Sequence, residues 1–246
     1  MDTDTKNISR PTIVLVHGAF AESSSWGGVI EHLHAEGYIS ISAANPLRSL
    51  SGDAESVASI LGSINGPVVL VGHSYGGSVI SGAALGNKNV EALVFVAAFA
   101  PDEGESIGEL SGLYPGSTLG ETLATVSLPD GTTDLYIRQV EYHGQFAADV
   151  PAEQAALMAA TQRPLRDVAL NEGAGQPAWR EIPSWFLVPV LDKNIPPRAQ
   201  RFMAERAGAR ETIEVEGASH AVSVSRPDEV SNLILTAVGH VERSAR

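Results

Sequence analysis

The apolar run Pro67-Val68-Val69-Leu70-Val71 passes directly into Gly72-His73-Ser74-Tyr75-Gly76-Gly77 and then into a small-residue helical segment that reaches about Gly86. A buried strand that enters a helix through Gly-x-Ser-x-Gly forces its serine into a sharp, strained backbone turn. Side chains two residues to either side would strike the neighbouring strand or helix, and Gly72 and Gly76 keep that space clear. The helix N-terminus beneath Ser74 also offers free N–H groups and the positive end of a helix dipole, a setting that stabilises developing negative charge. The same pattern recurs at Gly104-Glu105-Ser106-Ile107-Gly108, but there it follows Pro101-Asp102-Glu103 in a stretch that reads as loop. Only the first copy has a strand before it and a helix after it.

Around this turn, strands and helices alternate. Thr12 to Val16 is a short β-branched run closed by His17-Gly18, as expected of a strand buried on both faces. Trp26, Val29, Ile30 and Leu33 follow at helical spacing behind Ser23-Ser24-Ser25, and Gly37 ends that segment. Tyr38 to Ala43 gives a second strand, Val57, Ile60, Leu61 and Ile64 a helix from about Asp53, and Val90 to Ala98 a further strand. Such alternation requires right-handed crossovers, so the expected fold is α/β, with a mostly parallel central sheet and helices on both faces. The alternation lapses over residues 102–183, where helical stretches (Pro151 to Gln162 most clearly) appear without a clear strand. This predicts an inserted helical cap between core segments 11–101 and 184–243. The core resumes with strand Trp185 to Val188, a helix opened by Pro196-Pro197, strand Glu211 to Glu216, and a terminal helix from about Pro227.

Sixteen basic and 29 acidic residues give a formal net charge of −13. That field repels phosphate backbones and anionic surfaces, so neither nucleic acid nor a membrane is an expected partner. The absence of cysteine excludes a disulfide framework, a thiolate metal site and a cysteine nucleophile. The N-terminal MDTDTKNISRP is polar, and the first apolar run is too short for a signal-peptide core or a membrane span, so a cytoplasmic location is expected.

A serine hydroxyl becomes an effective nucleophile when a base accepts its proton, and a histidine with pKa about 6.5 suits that task. Of the seven histidines, His220 in Gly217-Ala218-Ser219-His220-Ala221 falls between the last strand and the last helix, where the chain order Ser, acid, His puts the base. His17 and His73 adjoin strand ends and are explained by structural hydrogen bonds. His143 falls in the cap, and His32, His34 and His240 lie on helix surfaces. The acid that orients the imidazole needs a strand-end carboxylate, and two qualify: Asp192 after Val188-Pro189-Val190-Leu191, and Asp102 after the strand Val90 to Ala98. His17-Gly18-Ala19-Phe20 directly follows the first strand, which makes the backbone amides of Ala19 and Tyr75 the candidate donors to an oxyanion.

Together these features resemble the α/β-hydrolase superfamily, and within it the branch of plant methyl esterases, hydroxynitrile lyases and small bacterial esterases. The resemblance spans about residues 11 to 240 and rests on HGAFAESSSW, VVLVGHSYGG, FVAAFAPDEG, LDKNIPP and EGASHAVSVSRPDEV, in that order. It implies that the acid is Asp192, giving a triad of Ser74, Asp192 and His220 with no metal or organic cofactor. It further implies a serine carboxylic ester hydrolase that cleaves small to medium apolar esters through an acyl-enzyme. Gly18, Phe20, Leu110, Tyr136, Phe146 and Met158 are expected to line the substrate pocket, and a homodimer is the expected assembly. Hydroxynitrile lyases of this branch carry threonine where Gly18 stands and lysine where Ala221 stands, so this chain is read as a hydrolase. The alternatives are lyase, perhydrolase or lactonase chemistry on the same triad, or a ligand-binding protein without catalysis.

Overall fold

The computed structural model describes residues 10–244. The first half comprises β1 (Thr12–Val16), α1 (Gly27–Ala35), β2 (Ser40–Ala43), α2 (Leu50–Gly62), β3 (Val68–His73), α3 (Tyr75–Ala83) and β4 (Val90–Val96). The insertion holds α4 (Ile107–Gly112), α5 (Leu119–Thr122), β5 (Leu123–Ser127), β6 (Thr133–Ile137), α6 (Gln139–Phe146), α7 (Ala152–Thr161), β7 (Leu165–Arg166) and α8 (Asp167–Asn171). The core then resumes with β8 (Ser184–Pro189), α9 (Pro197–Arg206), β9 (Glu211–Val215), α10 (Val222–Ser225) and α11 (Pro227–Ser244).

Strands β2-β1-β3-β4-β8-β9 lie side by side in that order, every neighbouring pair parallel. Because the strands are covered on both faces, their side chains alternate between two cores. Val14, Val16, Leu70, Leu93 and Phe95 join one apolar cluster with Val57 of α2, Val79 of α3 and Met203 of α9. Ile13, Leu15, Val69, Val71 and Val94 join the other, with Val29 and Leu33 of α1 and Val230 and Ile234 of α11. This double burial is why the strands read as unbroken apolar runs. α2 begins ahead of the predicted position because the Ser49 hydroxyl accepts from the Gly52 N–H at 3.2 Å and caps it. β2 and β4 are shorter than predicted: Tyr38 and Ile39 precede β2, and β4 stops where Ala97 turns to φ 47°.

The insertion departs from the all-helical expectation, for β5, β6 and β7 form a three-stranded antiparallel sheet. Leu128-Pro129-Asp130-Gly131 closes the β5–β6 hairpin, with Gly131 at φ 85° donating its N–H to the Leu128 carbonyl at 3.0 Å. Most of β5 is exposed, so it lacks the apolar run that marks a core strand. The insertion shares its packing with the sheet: Leu135, Ile137, Tyr142, Phe146 and Leu165 belong to the same cluster as Val14 and Phe95. Arg48 bridges the two parts, donating to Asp134 Oδ1 at 2.7 Å and to the Pro164 carbonyl at 2.8 Å. No helix among the described residues is long and apolar enough to cross a membrane.

Candidate active site

Ser74 sits between β3 and α3 at φ 55° and ψ −123°, a conformation that non-glycine residues avoid. Neighbouring backbone holds it there. Its N–H donates to Val96 O at 3.2 Å, and its carbonyl accepts from Gly77 N at 3.0 Å and Phe99 N at 3.1 Å. The flanking glycines are required by contact. A Cβ on Gly72 would lie 2.6 Å from Gly76 O, and one on Gly76 would collide with Val16 O. From the opposite side, a Cβ on Gly18 would stand 2.6 Å from the Cβ of Ser74.

Two loops at the same sheet edge complete the arrangement. His220, on the loop after β9, places Nε2 2.9 Å from Ser74 Oγ, while its Nδ1 lies 2.8 Å from Asp192 Oδ2 on the loop after β8. An ionised carboxylate only accepts, so Nδ1 carries the proton and Nε2 is free to accept from Ser74. All three side chains are buried. The remaining capacity of Asp192 is filled: Oδ1 accepts from Asn194 N and Ile195 N at 2.8 and 3.0 Å, and Oδ2 accepts from Gln200 Nε2 at 2.8 Å. Leu191 N donates to Ala218 O at 3.0 Å and so pins the two loops together. Asp102, the competing carboxylate, is elsewhere: it pairs with Arg180 Nη2 at 2.5 Å. Burial works against its charge, but the Glu103 amide and Arg180 outweigh it and hold the carboxyl below the usual range.

A model of the alpha/beta hydrolase family matches residues 13–233. The chain belongs to this family. Tobacco (Nicotiana tabacum) salicylic acid-binding protein 2 is 27% identical over 90% of this chain and 95% of its own length. Methylesterase 7 of Arabidopsis thaliana is 26% identical, over 92% of this chain and 96% of its own. Among solved structures, polyneuridine aldehyde esterase superposes with a TM-score of 0.79 at 20% identity, covering 93% of this chain and 99% of that one; at that identity the likeness concerns the fold.

The hydrolase fold also accounts for the other histidines near the site. His17 Nδ1 donates to Gly18 O at 2.9 Å and its Nε2 accepts from Asn45 N at 3.1 Å, while burial lowers its pKa to about 4. His73 donates from Nε2 to His220 O at 2.9 Å, and burial lowers its pKa to about 3. Both are neutral clamps on the loops they touch. The second Gly-x-Ser-x-Gly is structural: Ser106 caps α4, accepting from Glu109 N at 3.2 Å while its own N–H donates to Glu109 Oε2 at 3.0 Å. Ala19 is buried on the loop after β1, and among the described residues its N–H donates to no protein acceptor. Tyr75 supplies the first N–H of α3 and anchors its own hydroxyl on buried Asp53 at 2.7 Å.

The six expected pocket residues occupy different surroundings. A cavity of about 540 Å³ lies between α1 and α7 against Ala21, Glu22, Glu31, Tyr142, Leu157 and Met158, and Met158 alone of the six reaches it. Gly18 abuts Ser74 instead, and Phe20 and Leu110 pack into the core cluster. Tyr136 lies on the face of β6 opposite buried Leu135 and Ile137, because successive strand residues alternate. Phe146 sets its ring edge-on to His220, with centroids 4.9 Å apart. Tyr142, missed in the sequence, stacks on Phe146 at 5.0 Å and donates to Phe20 O at 2.7 Å, so these two rings separate the cavity from His220. Among the described residues no group of three or more His, Asp or Glu side chains is placed to hold a metal ion.

Proposed function

We propose that this protein is a carboxylic ester hydrolase that works through an acyl-enzyme on Ser74. One observation carries the reading: the continuous hydrogen-bonded path from Ser74 Oγ through His220 to Asp192, at 2.9 and 2.8 Å, within a strained strand-to-helix turn. His220 Nε2 accepts the hydroxyl proton as Ser74 attacks the ester carbonyl, and Asp192 stabilises the imidazolium that forms. The amides of Ala19 and Tyr75 receive the oxyanion, each donor contributing about 10²- to 10³-fold in rate. His220 then protonates the departing alcohol, and water, deprotonated by the same imidazole, releases the acid. The names of the related methylesterase and of the structurally similar esterase support ester cleavage.

The preferred substrates are small to medium uncharged esters. The net charge of −13 disfavours anionic substrates. Lyase chemistry in the manner of hydroxynitrile lyases fits less well, because Gly18 and Ala221 supply neither the hydroxyl nor the ammonium that those enzymes carry at these positions. Hydrolysis of a p-nitrophenyl ester series by wild type and Ser74→Ala tests the proposal. Turnover in the variant falls by about 10⁴-fold or more; equal rates would contradict it.

A further inference from the structure

Beyond the Leu191–Ala218 bond, the loop carrying His220 is held at three further points, and two of these holds come from the insertion. Ser219 donates to Asp149 Oδ1 from both its N–H and its hydroxyl, at 3.1 and 2.5 Å. Ala221 N donates to Phe146 O at 2.9 Å, and His73 Nε2 donates to His220 O at 2.9 Å. Asp149 follows α6 in the chain, its carboxylate is 13% exposed, and Arg226 Nη1 lies 3.5 Å from its Oδ2. Its hydrogen bonds run to Ser219 and to no atom of Ser74, Asp192 or the imidazole. A carboxylate so placed fixes the residue immediately before the base while taking no part in proton transfer.

We propose that Asp149 is a positioning residue, which through Ser219 sets His220 Nε2 against Ser74 Oγ and so makes the insertion part of the apparatus that activates the nucleophile. The inference rests on the proposed roles of Ser74 and His220. Two hydrogen bonds from one residue to one carboxylate oxygen leave the preceding backbone little freedom, and the Phe146 ring limits the imidazole on its other side. Without them the imidazole samples displaced positions, and a misplacement of about 1 Å costs on the order of 100-fold in rate.

The test reads nucleophile activation apart from ester fit, by measuring the rate at which a fluorophosphonate probe labels Ser74, located by mass spectrometry. It adds kcat and KM for p-nitrophenyl butyrate and the thermal midpoint. In Asp149→Ala, labelling and kcat fall by about 10- to 100-fold while KM changes by less than about threefold. Asp149→Asn retains an acceptor for the Ser219 amide and recovers most of the rate. Ser219→Ala deletes the 2.5 Å bond to Asp149 together with the hydroxyl's longer 3.3 Å contact to Phe146 O while keeping the Ser219 amide bond, and it gives the same split at smaller size, a check that stands if Asp149→Ala does not fold. Wild-type labelling and kcat in folded Asp149→Ala or in Ser219→Ala would overturn the inference, as would a loss confined to KM. A wild type that the probe does not label at Ser74 would overturn the nucleophile assignment beneath it, a result distinct from equal labelling of wild type and variant.

Discussion

At residue scale, the φ of 55° at Ser74 costs on the order of 1–3 kcal/mol, and the structure sustains it with backbone hydrogen bonds and with glycines wherever a Cβ would collide. That serine was legible because its signal is local: strand, turn and helix follow one another in sequence. His220 was legible from chain order. The acid was not settled by the residues alone, since Asp102 and Asp192 both follow apolar strands, and only the fold brings one to the imidazole and the other to Arg180. Asp192→Asn therefore lowers kcat by about 10⁴-fold, whereas Asp102→Asn leaves it within about threefold; kcat for one p-nitrophenyl ester decides between them. Tyr142 and Asp149 make contacts distant in sequence, with Phe20 and Ser219, which no motif announces.

The two clamp histidines also set a pH dependence. Burial lowers His17 and His73 to about 4 and about 3 from 6.5, so between those values the unfolded chain binds more protons than the folded one. The stability these neutral rings contribute is complete above pH 6.5 and is lost as pH falls towards the folded values. Thermal midpoints are expected to be lower at about pH 4.5 than at about pH 7.5, and the gap narrows in His73→Gln.

At the scale of elements, the sheet and its covering helices were readable because double burial produces unbroken apolar strands and amphipathic helices. The β5–β6 hairpin was not, because β5 is largely exposed and carries no such run, although Asp130-Gly131 is a recognisable turn pair. Besides the apolar packing of Leu135, Ile137 and Leu165, this small sheet is fastened to the core by Arg48, which joins the loop before α2 to Asp134 of β6 and to Pro164. Arg48→Met leaves the largely buried Asp134 without its cation. It is expected to destabilise the protein by about 1–3 kcal/mol and to speed hydrogen exchange in β6 ahead of β3, as read by mass spectrometry.

For the molecule as a whole, the sheet divides the interior into two cores with different tasks. The core containing α1 and α11 supports the sheet from behind. The other joins α2, α3 and α9 to the insertion and so couples the loops around Ser74 to Tyr142 and Phe146. The pocket was the least legible part, because which insertion side chains face a cavity depends on packing between distant segments. The central claim is that Ser74 carries the acyl group during turnover. The most direct measurement is intact-protein and peptide mass spectrometry after rapid acid quench of the enzyme with p-nitrophenyl acetate. The account predicts one acetyl group per chain, located on Ser74 and absent from Ser74→Ala; turnover with Ser74 unmodified, or acetylation retained in the variant, would contradict it.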